Sequence, residues 1–138
     1  MLQRLASAGE PSTVVRMPIL EVTIVLKEGE LLPPDLAARI AGEASSVFSA
    51  SPGGTWVRLL TLDPAQYAED HGGPPEGIAP VFVSVLKSEV QPHQELGAEV
   101  ERLTSAVAAA TGRSAANIHV VYEPPARGRI SFGGRLIT

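Results

Sequence analysis

The chain repeats its own pattern, and that repeat limits its fold more than any other feature. One segment opens Pro18-Ile19-Leu20-Glu21-Val22-Thr23-Ile24-Val25-Leu26-Lys27, and a second opens Pro80-Val81-Phe82-Val83-Ser84-Val85-Leu86-Lys87. Both are rich in β-branched residues and read as strands. Both start on a proline, which at a strand's first residue gives up no interior ladder bond. Helical spacing follows each: Leu36, Ile40, Ala44, Val47 and Phe48 after Pro33-Pro34-Asp35, then Leu96, Val100, Leu103, Val107 and Ala110 after Gln91-Pro92. Proline near the first helical position is a start signal, and Gly53-Gly54 and Gly112 mark the stops. An apolar run closes each unit, at residues 55–62 and 117–122, and a polar stretch then ends in Gly72-Gly73 or Gly133-Gly134. The opening prolines stand 62 positions apart and the glycine pairs 61, so the two halves keep one register.

Strand-helix-strand units of this length require parallel, right-handed crossovers. The expected fold class is therefore α/β: a tandem β-α-β repeat giving a four-stranded sheet with two helices on one face, plus a C-terminal β-hairpin at Gly133-Gly134. The expected organisation is an N-terminal extension over residues 1–16 and a single domain over 17–138, with pseudo-repeats 18–79 and 80–138. Helices on one face leave the other bare in a monomer. The strand faces carrying Val22, Ile24, Leu26 and Val81, Val83, Val85 are expected to need cover from other protomers, so an oligomer is expected.

Composition enters as a set of exclusions. Six aromatic residues in a chain that is 44% apolar leave Val, Leu, Ile and Ala to build the core. A net charge of −4 without a Lys/Arg-rich run gives no bulk attraction to nucleic acid or an anionic membrane. The absence of cysteine removes disulfides, thiolate metal sites and cysteine nucleophiles, and is compatible with the cytoplasmic location expected here. No run approaches the roughly 18 apolar residues of a spanning helix, and residues 1–16 lack the apolar stretch of a secretory signal. His71, His93 and His119 do not have metal-ligand spacing, so neither metal nor cofactor is expected. The glycine pairs lack the frame of a phosphate loop and read as turns.

A few residues stand out by context. Arg58 lies in an apolar strand, a costly place for a charge unless it is paired or faces a cavity; Asp63, Glu69 or a neighbouring subunit could pair it, and so could a substrate. His119 points opposite Ile118 and Val120, as a structural hydrogen-bonding residue or a substrate contact. Tyr122 shares the face of Ile118 and Val120 and reads as core. His71 and His93 read as solvated, Trp56 as packing. Arg127, Arg129 and Arg135 crowd the last twelve residues, with no acid after Glu123. They suit a small anionic ligand or the acids of a neighbouring subunit.

Met17-Pro18-Ile19-Leu20-Glu21-Val22 resembles the start of tautomerases of the 4-oxalocrotonate tautomerase and macrophage migration inhibitory factor group. Ala126-Arg127-Gly128-Arg129-Ile130-Ser131-Phe132-Gly133-Gly134-Arg135-Leu136 resembles the C-terminal hairpin of 4-oxalocrotonate tautomerases. The resemblance spans residues 17–138 and implies a two-unit, long-chain member that assembles as a homotrimer. It implies keto–enol chemistry on a small carboxylate. An amino-terminal proline whose ammonium form is disfavoured in an apolar pocket acts as general base, and arginines hold the substrate carboxylate. On this chain it puts Pro18 at the base position. Arg58 and His119 fall at substrate-binding positions on the closing strands, Arg127 or Arg129 supplies a further cation, and Ile130 stands where a phenylalanine walls the site. The lysine that lines the site in the phenylpyruvate-tautomerising branch has no match in residues 49–54.

Pro18 follows Met17, however, and its nitrogen is then an amide whose lone pair is delocalised into a carbonyl. Three readings stay open: a protein that begins at Met17 and loses it, an extension cleaved later, or an extension that stays. In the third case the chain is a non-catalytic trimeric binding or scaffolding member.

Overall fold

A computed structural model of the chain describes residues 18–138; Met17 and the expected extension lie outside the described residues. The first unit is β1 (Ile19–Val25), α1 (Leu36–Phe48) and β2 (Trp56–Leu62); the second is β3 (Val81–Leu86), α2 (His93–Thr111) and β4 (Ile118–Tyr122). A hairpin of β5 (Ser131–Phe132) and β6 (Arg135–Leu136) follows. Gly133 and Gly134 turn it at φ values of 60° and 88°, a left-handed pair that a two-residue hairpin turn requires and glycine adopts without strain.

The four long strands order as β2-β1-β3-β4. Within each unit the pair is parallel, as a helical crossover demands. The units join through an antiparallel β1/β3 ladder in which Ile19 faces Leu86 and Ile24 faces Val81. Antiparallel joining sends the two unit starts apart, so Pro18 and Pro80 sit at opposite ends of the sheet. This is the expected tandem repeat with both helices on one face.

Period-two alternation assigns the faces. Leu20, Val22 and Ile24 from β1 and Val81, Val83 and Val85 from β3 are buried beneath Leu36, Ile40 and Ala44 of α1 and Leu103 and Val107 of α2. Each fully buried Val, Leu or Ile contributes about 1.5–3 kcal/mol, so this layer dominates the fold's stability. Here the structure corrects the sequence expectation. The runs thought to need other protomers are the ones the helices cover, and Leu26 ends beyond β1. The bare face carries Ile19, Glu21, Thr23, Phe82, Ser84 and Leu86, with Trp56, Arg58 and Leu60 on β2 and His119 and Val121 on β4. The more apolar of two alternating sets goes under the helices, and the mixed set is left outside. Among the described residues no helix is long and apolar enough to cross a membrane.

Candidate functional site at the Pro18 end of the sheet

Pro18 precedes β1 and is fully buried; its carbonyl accepts the Trp56 N–H at 3.1 Å, which holds it against β2. Two cavities flank this end of the sheet, one on each face.

The cavity on the bare face, about 380 Å³, is lined by Ile19, Glu21, Arg58, Ser84, Leu86, Glu123, Pro124 and Arg129. Glu21 and Arg58 are ladder partners on β1 and β2. The Arg58 Nη2 donates to Glu21 Oε2 at 2.7 Å, so its partner is neither Asp63 nor Glu69. Side-chain exposures of 69% and 41% make this a surface pair, worth roughly 0.2–1 kcal/mol. A ligand carboxylate could displace Glu21 at little cost. Across the cavity, Ser84 Oγ donates to Glu123 Oε2 at 2.7 Å. The Arg129 Nη2 donates only to the carbonyls of Pro124 and Pro125, at 3.4 and 3.0 Å, so its charge meets no carboxylate among the described residues. Trp56 meets Phe132 of the hairpin edge-on, with ring centroids 5.3 Å apart, which ties the hairpin to β2.

Of the residues singled out in the sequence, Arg58 and Arg129 thus share one cavity beside Ile19, the residue after Pro18. Arg127 turns away: it donates to a main-chain oxygen of Thr138 at 2.7 Å and pairs with Glu89. His119 stands on the outer strand β4, stacked at a tilt on Phe82 with centroids 5.4 Å apart. Three interstrand spacings, roughly 14 Å, separate β4 from β2, so His119 does not join Arg58. Ile130 is half-buried in the hairpin's approach, its carbonyl accepting the Ile137 N–H at 2.9 Å.

The helix-side cavity, about 410 Å³, holds groups that sequence reasoning passed over. Its lining includes Phe48, Ser49, Lys87, Glu89, Glu99 and Arg102. The Lys87 Nζ donates to both carboxylate oxygens of Glu99, at 3.2 and 3.3 Å, and lies 5.1 Å from the centre of the Phe48 ring. Tyr122, read as core, donates its hydroxyl to Glu99 Oε2 at 2.6 Å. Burial first, and then the Glu99 carboxylate, push that hydroxyl well above the ordinary tyrosine range, so it remains a donor. Lys87 and Glu99 side chains are only 8% and 5% exposed. One signal for Glu99 was in the sequence: it falls on the same helical stripe as Leu96, Leu103 and Val107. No group of three or more His, Cys, Asp or Glu among the described residues could hold a metal ion.

No family model and no curated protein sequence matches the chain. Solved structures do. The chain is similar to a fused 4-OT wild-type symmetric trimer at a TM-score of 0.68 and 17% identity, over 86% of this chain and 94% of that one. It is similar to the macrophage migration inhibitory factor of Trichinella spiralis at 0.66 and 10%, over 86% and 99%. FG41 malonate semialdehyde decarboxylase, inhibited by 3-bromopropiolate, gives 0.63 and 16%, over 83% and 88%. The fold is therefore the tautomerase and macrophage migration inhibitory factor-like α/β fold that the sequence resemblance implied.

Proposed function

We propose that the protein is a tautomerase that interconverts keto and enol forms of a small carboxylate-bearing substrate, with Pro18 as general base once residues 1–17 are absent. The observation that carries this reading is positional. Pro18 leads into β1 at the sheet end, buried, with the Arg58 and Arg129 guanidiniums lining the cavity beside its neighbour Ile19. A secondary amine in an apolar setting is less readily protonated than the free α-amino group of a peptide, whose pKa is about 8. It would then accept a proton near neutral pH while a guanidinium orients the carboxylate.

In this reading the single domain expected over residues 17–138, trimmed to start at Pro18, acts in a cytoplasmic homotrimer, like the symmetric 4-OT trimer to which the fold is similar. Its partners are copies of itself and the small anionic substrate, with no nucleic acid, membrane, metal or cofactor. The test compares the full chain with a protein starting at Pro18, using ketonisation of phenylenolpyruvate. Turnover by the shorter protein that vanishes in its Pro18→Ala variant supports the reading; a folded, inert Pro18-start protein overturns it.

A second reading has one specific observation behind it: in the full sequence Met17 acylates the Pro18 nitrogen. If that bond persists in the cell, the chain is a non-catalytic trimeric binding or scaffolding module. Intact mass of the native protein separates the two, since retention of residues 1–17 removes the proline base.

A further inference from the structure

We propose that Glu123, held in place by Ser84, is a specificity-determining residue that makes the bare-face cavity take substrates with one carboxylate and turn away dicarboxylates. The inference rests on the tautomerase reading and narrows its substrate class.

Four strands bring the charges together. At one level of the sheet the register places Glu21 of β1 between Arg58 of β2 and Ser84 of β3, and period two sends all three side chains to the bare face. Glu123 follows directly on β4, and its N–H donates to the Val85 carbonyl at 2.9 Å. That bond continues the parallel ladder by one residue and fixes Glu123 beside β3. Ser84 has a single hydroxyl hydrogen to give. It goes to Glu123 Oε2 at 2.7 Å, not to Glu21, the ladder neighbour. Glu123 is half-buried, and this bond holds its carboxylate at the cavity wall.

The charges of the wall are two guanidiniums and two carboxylates. One pair is already matched, Arg58 to Glu21. Arg129 donates only to the Pro124 and Pro125 carbonyls, and among the described residues no ion pair joins Glu123 to a cation. One cation and one anion are therefore left over in the same space of about 380 Å³.

That remainder separates one carboxylate from two. A first substrate carboxylate finds Arg129 open to it. A second must take Arg58 away from Glu21, which leaves the Glu21 carboxylate uncompensated. It also shares the cavity with Glu123, whose only donor is an uncharged hydroxyl. Charge placed against the wrong ligand discriminates as effectively as contacts made to the right one. Glu123 thus acts on which substrate enters and takes no part in the proton transfer.

The test uses proteins starting at Pro18 and two dienols that differ by one carboxylate, 2-hydroxymuconate and 2-hydroxypenta-2,4-dienoate. The parent is expected to favour the monocarboxylate in kcat/KM by about 10-fold, as for like charges in a half-open cavity of high effective dielectric. E123Q keeps an acceptor for Ser84 and removes the charge; E123S removes charge and amide together. With the fold verified by thermal melting, both should move the ratio about 10-fold towards the dicarboxylate, chiefly through its KM. E76Q removes a carboxylate from the exposed loop before β3 and should leave the ratio alone. A parent that treats both dienols alike or prefers the dicarboxylate overturns the proposal. So does an unchanged ratio in E123Q and E123S, or an equal shift in E76Q, which would make the effect one of bulk charge. Should the parent be inert towards both dienols, the tautomerase reading falls by itself, and Glu123 is judged by NMR titration with hexanoate and adipate. A preference for hexanoate that narrows in E123Q sustains the selection; equal binding, no binding or an unchanged preference removes it.

Discussion

Arg113 shows at the scale of a single residue how this fold spends charge on structure. Its side chain is buried, the Nε donating to the Ala79 carbonyl at 3.0 Å and Nη2 to the Val25 carbonyl at 2.9 Å. Both Nη atoms reach the Glu30 carboxylate at 2.8 Å. That fork holds the Glu30 carboxyl down at about 2. A depressed carboxyl binds fewer protons folded than unfolded, so its stabilisation is complete above the unfolded value near 4.5 and is lost as pH falls towards 2. The melting temperature of the native protein should fall through that window, and Glu30→Gln should flatten the fall while lowering stability at pH 7. Arg113→Ala is expected to cost roughly 3 kcal/mol in denaturant titrations, as for a buried pair broken on one side. Arg58→Ala should instead leave stability nearly unchanged and raise KM, with the oligomer intact in sedimentation; dissociation would reveal a structural arginine. Arg58 was legible because a charge in an apolar strand draws notice. Lys87 was visible only as a strand-end lysine, because its burial depends on Glu99 and Tyr122, 12 and 35 positions away.

The helices carry their own test. α1 ends on Ser49 at φ 52° and α2 on Gly112 at φ 75°, both left-handed C-caps, but only one has the residue that adopts this backbone freely. A side chain in that region costs about 1–2 kcal/mol. Gly112→Ala should therefore destabilise by about 1 kcal/mol and Ser49→Gly should stabilise by a similar amount, both read by chemical denaturation. Gly112 was legible as a stop because glycine announces this geometry; Ser49 was not, and Gly53-Gly54 drew the expected stop too far on. The strands were legible to within two residues at each end because apolar alternation is a local property. Which alternating set the helices would cover was not, since both faces of β1 contain β-branched residues and only the tertiary arrangement chooses between them.

The bare sheet face matters most for the molecule as a whole. Trp56, Leu60, Phe82 and Val121 are 44%, 44%, 36% and 60% exposed across its four-stranded width, an arrangement suited to contact with further copies of the chain. The double variant L60D/V121D should shift the native assembly towards monomers in sedimentation equilibrium; unchanged mass would put the contact elsewhere. That one face would be bare was inferable from the repeat, because two helices cannot cover both sides of one sheet.

The two unit starts, alike in sequence, have parted company. Beside Pro80, Arg113 stitches peptide carbonyls together; at the Pro18 end, the Lys87 ammonium pairs with Glu99 in the wall of a cavity. Two halves with one pattern thus carry different charged groups at their corresponding ends. Substitutions around Pro80 should register in melting curves alone, and on the tautomerase reading those around Pro18 should register in turnover as well.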